Sequence, residues 1–492
     1  MTQLRYKLRG SGLLALASLL AGCTVGPNYR RPDLSTPPPP AYKESAAGAV
    51  VPPPNPNGGT WKQATPSDGM LRGKWWEVYN DPQLNALEEQ IAGQNQNLRA
   101  AMENYLAARD QVRIARADFY PTLSGNASGE RAKVSAHRPL VQSGAKTQYT
   151  DLQLGGQASW EPDFWGRVRR NVEAAHENAQ ANAADLANLD ISLHAELAMD
   201  YFELRGLDSD ARLLEKAVSD YQHQVDLNQQ LVKGGLATEV VVAQALTQLE
   251  TTRAQLLDVN QARSQFEHAI ATLINKEAGQ VTLQPTPLDL ELPSIPVGVP
   301  SQLIERRPDI SATERRAAEA NARIGIAVSA YYPNVVIGGG GGFESTNIGT
   351  LIQGPSALWS LGAQATQILF DAGRRRAITE QARHLYEADA ATYRATVLSA
   401  FNEVEDRLSD LRVLNDETTT ERRAVDAAQH SLDLSNQRYK GGATSYLEVL
   451  IAETTLLTNQ RTLTDLKTRE FAASVGLIRA LGGGWDTTQL PH

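Results

Sequence analysis

Cysteine is almost absent from this chain. Cys23 is the only one in 492 residues, so no internal disulfide can form. The eight histidines are scattered and show no metal-ligand spacing. The net charge of −9 leaves no basic face for nucleic acid. Five consecutive glycines at 338–342 lack the Gly-Lys-Ser/Thr of a phosphate loop and suit a strand whose neighbours approach closely. Beyond the N-terminus no stretch reaches the apolar length of a transmembrane helix. If the chain spans a membrane, it must do so with strands closed into a barrel. Proline is missing from 167–232 and from 374–440, and the only glycine inside those two stretches is Gly206.

The chain contains itself twice. The segment opening at Val225 and the one opening at Leu432 align without a gap at an offset of 207, pairing Asp226 with Asp433, Lys233 with Lys440, Gly234-Gly235 with Gly441-Gly442 and Leu249 with Leu456. The same offset carries Gly166-Arg167 onto Gly373-Arg374. A repeat this long is a duplicated half-molecule rather than a solenoid unit. Two like halves point to a conduit or a scaffold before an enzyme. We divide the chain into a leader (1–22), a Pro-rich tether (23–74), a first repeat (75–275), a linker (276–307), a second repeat (308–482) and a tail (483–492).

Arg5, Lys7 and Arg9 precede a short apolar run from Leu13 to Leu20, and Leu20-Ala21-Gly22-Cys23 follows. A charged start, a short apolar core and small residues before a cut describe a secretory signal. Ending on Cys makes it resemble a bacterial lipoprotein signal, with Cys23 the lipid-bearing first mature residue. Thr24, rather than Asp, then implies the outer membrane. An acylated residue anchors a chain without making it span.

In the first repeat Pro82 opens a helix expected to run to about Phe119, before Pro121. Its counterpart runs from Pro308 to about Tyr332-Pro333 and is shorter by 14 residues, two heptads. The two proline-free stretches predict helices on the order of 100 Å long. Leu186, Leu189, Leu193, Leu197, Tyr201 and Leu204 form a coiled-coil-like stripe on the first. Each long helix ends at Lys-Gly-Gly, where glycine supplies a left-handed cap, and a return helix follows at about 238–275 and 444–481.

Between the short and long helices the period is two. Leu152, Leu154, Gly156, Ala158 and Trp160 face one way, and Ala357, Trp359, Leu361, Ala363 and Ala365 do likewise. Leu123 onward and Asn334 onward alternate more weakly. Strands of about ten residues, apolar outside and polar inside, mark a transmembrane barrel. Trp160 and Trp359, at matching places on the outer face, suit an interfacial aromatic girdle. Four strands cannot close a barrel around anything, so several copies must share one; two would give eight strands and three would give twelve.

Five segments carry a resemblance to a known family: VGPNYRRP after Cys23, WWEVYNDPQLNALEEQ (75–90), SWEPDFWGRVRR (159–170), LIERRPDI (303–310) and LFDAGRRR (369–376). In this order, on a duplicated frame, they resemble the TolC-like outer-membrane efflux factors of the NodT/OprM type. The fold implied is mainly α with a membrane β-barrel: a homotrimer in which four strands per chain build a shared twelve-stranded barrel and long helices build a periplasmic α-barrel. The function implied is the exit duct of a tripartite efflux pump, partnered by a periplasmic adaptor and an inner-membrane pump, with no cofactor beyond the lipid on Cys23. The resemblance places adaptor docking at the turns Lys233, Gly234, Gly235, Leu236 and Lys440, Gly441, Gly442, Ala443. It places the aperture on the second return helix, where the acidic and basic positions of relatives are Ile451 and Thr454 here. Leu447 is then a candidate apolar gate, and Glu448 and Glu453 are candidates for the charge. No catalytic constellation is present. Glu161 and Asp163 read as a solvated hinge and 374–376 as a solvated rim. The alternatives are a type I protein-secretion duct, which shares this architecture, and a structural coiled-coil envelope lipoprotein, which leaves the alternating strands unexplained.

Overall fold

The structure is a computed structural model describing residues 24–34, 37–39, 41–44, 73–135, 147–295, 304–485 and 487–490. Its elements, in order, are α1 (Pro82–Gln94), α2 (Gln96–Ala117), β1 (Thr122–Lys133), β2 (Gln148–Trp160), α3 (Arg167–Lys233), α4 (Glu239–Leu273), α5 (Pro308–Ser329), β3 (Asn334–Ser345), β4 (Ala357–Thr366), α6 (Arg374–Lys440) and α7 (Tyr446–Ala480). Two compact units share them. One takes Met1–Asp33, Asn104–Asn182 and Thr313–Tyr393; the other takes Leu34–Glu103, Ala183–Ala312 and Arg394–His492.

The single helix expected from Pro82 is two. Asn95 breaks it: its backbone is extended, and its side chain accepts from the amides of Asn97 and Leu98 (2.9 and 3.1 Å). That is an N-cap, which satisfies two of the orphan donors at the start of α2. The break accounts for the difference between the repeats. α2 and α5 each have 22 residues, and the extra 14 positions of the first repeat are α1 with Asn95.

In the second unit α1 is fixed at its start and at its middle. Asp81 caps it by accepting from Gln83 and Leu84 amides (2.8 and 3.1 Å) and accepts a 2.6 Å bond from the Tyr201 hydroxyl on α3. Arg205, one turn on, donates to the Tyr201 oxygen (2.8 Å) and to the Thr286 carbonyl (3.2 Å), tying in the linker. Further along α1, buried Glu88 meets His194 at 2.6 Å, and Trp76 stacks on that imidazole at 4.4 Å. Burial works against the imidazolium, but Asp190 and Glu88 outweigh it and hold His194 up at about 9. Trp75, Tyr79, Leu84, Ile91, Leu197, Tyr201, Phe202 and Leu204 form the core around these contacts. The apolar stripe expected on α3 is therefore the wall of a core, with Leu193, Leu197, Tyr201 and Leu204 all buried.

In the first unit β1-β2-β3-β4 form one antiparallel sheet in that order. β1 and β4 are its two edges and are exposed almost throughout.

Candidate functional site

Directly opposed residues in an antiparallel sheet share a face, so the register tests the expected alternation. Leu123 lies opposite Ala158, Leu154 opposite Phe343, Ala158 opposite Gly339, Gly341 opposite Trp359 and Ile337 opposite Ala363. Every residue expected on the apolar side of β2 and β4 therefore falls on one face, joined by Leu123, Val335, Ile337 and Phe343. Thr122, Ser124, Gln153, Gln157, Ser360 and Gln364 share the other. The apolar face is bare: Trp359 is 81% exposed and Leu361 76%. One face apolar and uncovered, the other polar, is the pattern of a barrel wall in lipid.

The two tryptophans do not match as expected. Trp160 pairs with Ile337 and Trp359 with Gly341, so they lie four β3 positions, about 13 Å, apart along the strands. Trp160 is at the helix end, donating to the Phe119 carbonyl (3.0 Å), and Trp359 is toward the loop end. The offset of 207 pairs Trp359 with Leu152, which is why no matching level results. Of the five glycines, Gly342 has the clearest need to be one. A Cβ there would lie 2.4 Å from the Leu154 carbonyl oxygen and 2.6 Å from the Gly155 Cα.

The junctions below the sheet carry ion-paired caps: the expected hinge acids Glu161 and Asp163 are engaged, and of the expected solvated rim only Arg375 turns in. Asp163 accepts from Val168 and Arg169 amides (2.9 and 3.0 Å) and from the Arg169 guanidinium (3.0 Å), while Glu161 takes a two-pronged bond from Arg167 (2.8 and 3.0 Å). In the second repeat Asp371 accepts from Gly373 and Arg375 amides (both 3.1 Å) and from the Arg375 guanidinium (2.7 Å), which also lies over the Tyr331 ring. Of the arginine triplet, only Arg374 and Arg376 are exposed. Acids at a helix N-terminus satisfy free amides and meet the positive end of its dipole.

Cys23 lies outside the described residues. The segment after it is seated on the first unit. Val25 N bonds the Trp165 carbonyl (3.2 Å), Asn321 donates to the Pro27 carbonyl (3.1 Å) and the Tyr29 hydroxyl donates to Glu314 (3.0 Å). Arg170, buried on α3, donates to Asn28 Oδ1 at 2.9 Å. Thr24 lies against Gly166, where a Cβ would come within 2.7 Å of it. The structure thus brings VGPNYRRP and GRVRR into contact. Sequence reading missed Arg170 because nothing in a run of arginines marks the one that turns inward.

The two helical turns are alike in detail. Gly235 and Gly442 take φ of +71° and +70°. Leu236 N bonds the Leu231 carbonyl (2.8 Å) and Gly235 N the Val232 carbonyl (3.0 Å); Ala443 and Gly442 repeat this to Arg438 and Tyr439 at 2.9 Å each. These paired 6→1 and 5→2 bonds are the Schellman motif. Lys233, Gly234, Gly235 and Leu236 are exposed, as are Lys440, Gly441, Gly442 and Ala443. Both tips pack into one cluster of Tyr221, Val225, Ala245, Leu249, Tyr446 and Val449.

The four aperture candidates separate. Leu447 and Ile451, one turn apart, are exposed together. Glu448 is ion-paired with Arg438 at 3.4 Å. Glu453 lies well round the helix and turns inward, near Asp220, Tyr221 and Tyr446, with Oε2 buried and, among the described residues, without a hydrogen-bond partner. Burial first, then the Asp220 charge, raise its carboxyl to about 7. A role for Glu453 as exposed charge at the aperture is corrected on this geometry. Among the described residues no group of acids, histidines or cysteines could hold a metal ion.

A family model described as outer membrane efflux protein matches residues 87–276 and 299–483, the two halves of the duplication. The chain is 29% identical over 476 residues to the probable efflux pump outer membrane protein TtgC of Pseudomonas putida, covering 96% of this chain and 95% of that protein. It is 28% identical over 472 residues to the cation efflux system protein CusC of Escherichia coli, covering 96% and 98%. The solved outer-membrane channel OprN superposes with a TM-score of 0.83 at 29% identity, covering 94% of this chain and all of that one.

Proposed function

This chain belongs to the outer membrane efflux protein family and is an outer-membrane efflux channel, and we propose that three copies of it make the passive exit duct of a tripartite pump. The observation that carries the reading is the sheet, with one apolar face bare to its surroundings and two unpaired edges. Unpaired strand edges are not viable in lipid, so the sheet must be completed by further copies. Three copies supply twelve strands and leave a lumen. The helices of the same copies would continue that lumen into the periplasm.

A periplasmic adaptor would dock on the glycine tips, which are matched in geometry and expose Leu236 and both lysines. An inner-membrane pump would supply the energy, and small solutes would pass through. Leu447 and Ile451, as an exposed apolar strip near the second tip, suit a constriction that closes by dewetting. Trp160 and Trp359 would meet lipid at different depths.

Single-channel conductance in a planar bilayer, with the mass of the purified protein in detergent, tests the reading. A trimer with a small, mostly closed conductance is expected. A non-trimeric mass and no conductance would leave only an envelope scaffold.

A further inference from the structure

The internal duplication lets the seam between copies be read from the seam inside one chain. Each repeat contributes one hairpin. Shifting β1 by 212 residues onto β3, and β2 by 207 onto β4, carries the pair Thr122–Ser159 onto the pair Asn334–Thr366. The two hairpins thus have one register. Between them β2 of the first repeat pairs with β3 of the second, with Trp160 opposite Ile337, Ala158 opposite Gly339 and Gln157 opposite Gly340.

Where copies meet, β4 stands in the place of β2, and β1 of the next copy stands in the place of β3. We propose that β4 pairs antiparallel with β1 of a second copy in the register that sets Ala365 opposite Ala127 of the partner subunit. The proposal rests on the shared-barrel reading and deepens it. It follows that Gln364 faces Ser128 of the partner subunit, Leu361 faces Arg131 of the partner subunit and Trp359 faces Lys133 of the partner subunit.

Two observations not used to derive this register agree with it. The first is polarity. Ala365 and Ala127 both lie on the apolar face and Gln364 and Ser128 both on the polar face. A slip of one residue would put each against the wrong side. The second is exposed apolar surface at the seam's helix end. Inside the chain, Trp165, after β2, stacks on Tyr332, before β3, with centroids 4.8 Å apart. At the outer edges the corresponding stretches are uncovered: Leu369 and Phe370 after β4 are 91% and 87% exposed, and Tyr120 before β1 is 73% exposed. At the loop end, the register sets an ammonium beside an indole, a favourable cation–aromatic pair at head-group level.

Paired cysteines test the register. Native Cys23 serves as a common background, read in the unsubstituted chain. In the full-length protein in membranes, Ala127→Cys with Ala365→Cys, and Ser128→Cys with Gln364→Cys, are exposed to a mild oxidant and run on a non-reducing gel. Neighbouring pairs alternate between close and wide Cα spacing, so one of the two falls on the closer kind. The expected result is a shift from one-chain to two- and three-chain species for at least one pair. Ala365→Cys with Gly125→Cys or Gly129→Cys should stay almost wholly at one chain. Better crosslinking in a shifted pair, or none in any pair with a trimeric mass, overturns the register and leaves the trimer standing. No crosslink with a monomeric mass removes the trimer as well.

Discussion

Glu453 shows how a residue's surroundings decide its role. By spacing alone it sits two residues, about half a turn, from Ile451 and roughly two turns into α7, where an acid near an aperture could be. Folding places it against Asp220, Tyr221 and Tyr446 instead, and its carboxyl rises from the ordinary 4.5 to about 7. The folded protein then binds that proton more tightly than the unfolded chain does. Stability falls as pH rises from about 4.5 through about 7, and is level above. Glu453→Gln cannot ionise, so its melting temperature should gain on the wild type by a few degrees between pH 5 and pH 8. An unchanged gap across that range would return Glu453 to solvent. The inward turn was not legible in the sequence, because it depends on Asp220, which is 233 positions away. The alternation of Leu152, Leu154, Ala158 and Trp160 was legible, because a period of two needs no partner to be seen.

At the scale of elements, the tips were legible because glycine at a helix end has a backbone reason to be there. That reason also separates a cap from a docking surface. Among the described residues, and apart from the neighbours in the chain, no atom lies within 4 Å of a Cβ built on Gly235 or Gly442. An alanine there therefore costs only the left-handed strain, roughly 1–2 kcal/mol. Gly442→Ala and Gly442→Phe carry the same strain but differ in bulk. If the tip docks an adaptor, efflux should be nearly normal in the alanine variant and roughly tenfold or more lower with phenylalanine, a loss worth about 1.4 kcal/mol of binding. Both should remain trimeric. Equal efflux in the two variants would leave the glycine a cap and no more. The break at Asn95 was the element that sequence reading lost. Helical periodicity continues across it, and a capping asparagine inside such a pattern looks like any polar surface residue until its side chain is seen turned back on Asn97 and Leu98.

A gate would exist only in the assembled molecule, since one chain offers a strip and three copies would offer a ring. The duplication makes the ring asymmetric in chemistry: the offset of 207 pairs Leu447 with Val240 and Ile451 with Gln244. On the second tip Leu447 and Ile451 are both apolar and exposed one turn apart, whereas at the first tip exposed Val240 is followed one turn on by the amide of Gln244. Glu448 is held to Arg438 and Glu453 is turned inward, so closure at this level would come from expelling water rather than from an acidic ring. Leu447→Ser should then wet the constriction and raise the resting conductance severalfold. Ile451→Ser should add to it. Glu453→Gln, which changes nothing on that strip, should leave the closed conductance as it is. The three are compared in one planar-bilayer series at fixed voltage and pH. A closed state untouched by Leu447→Ser but opened by Glu453→Gln would put the gate in the packing between helices and take it away from the apolar strip.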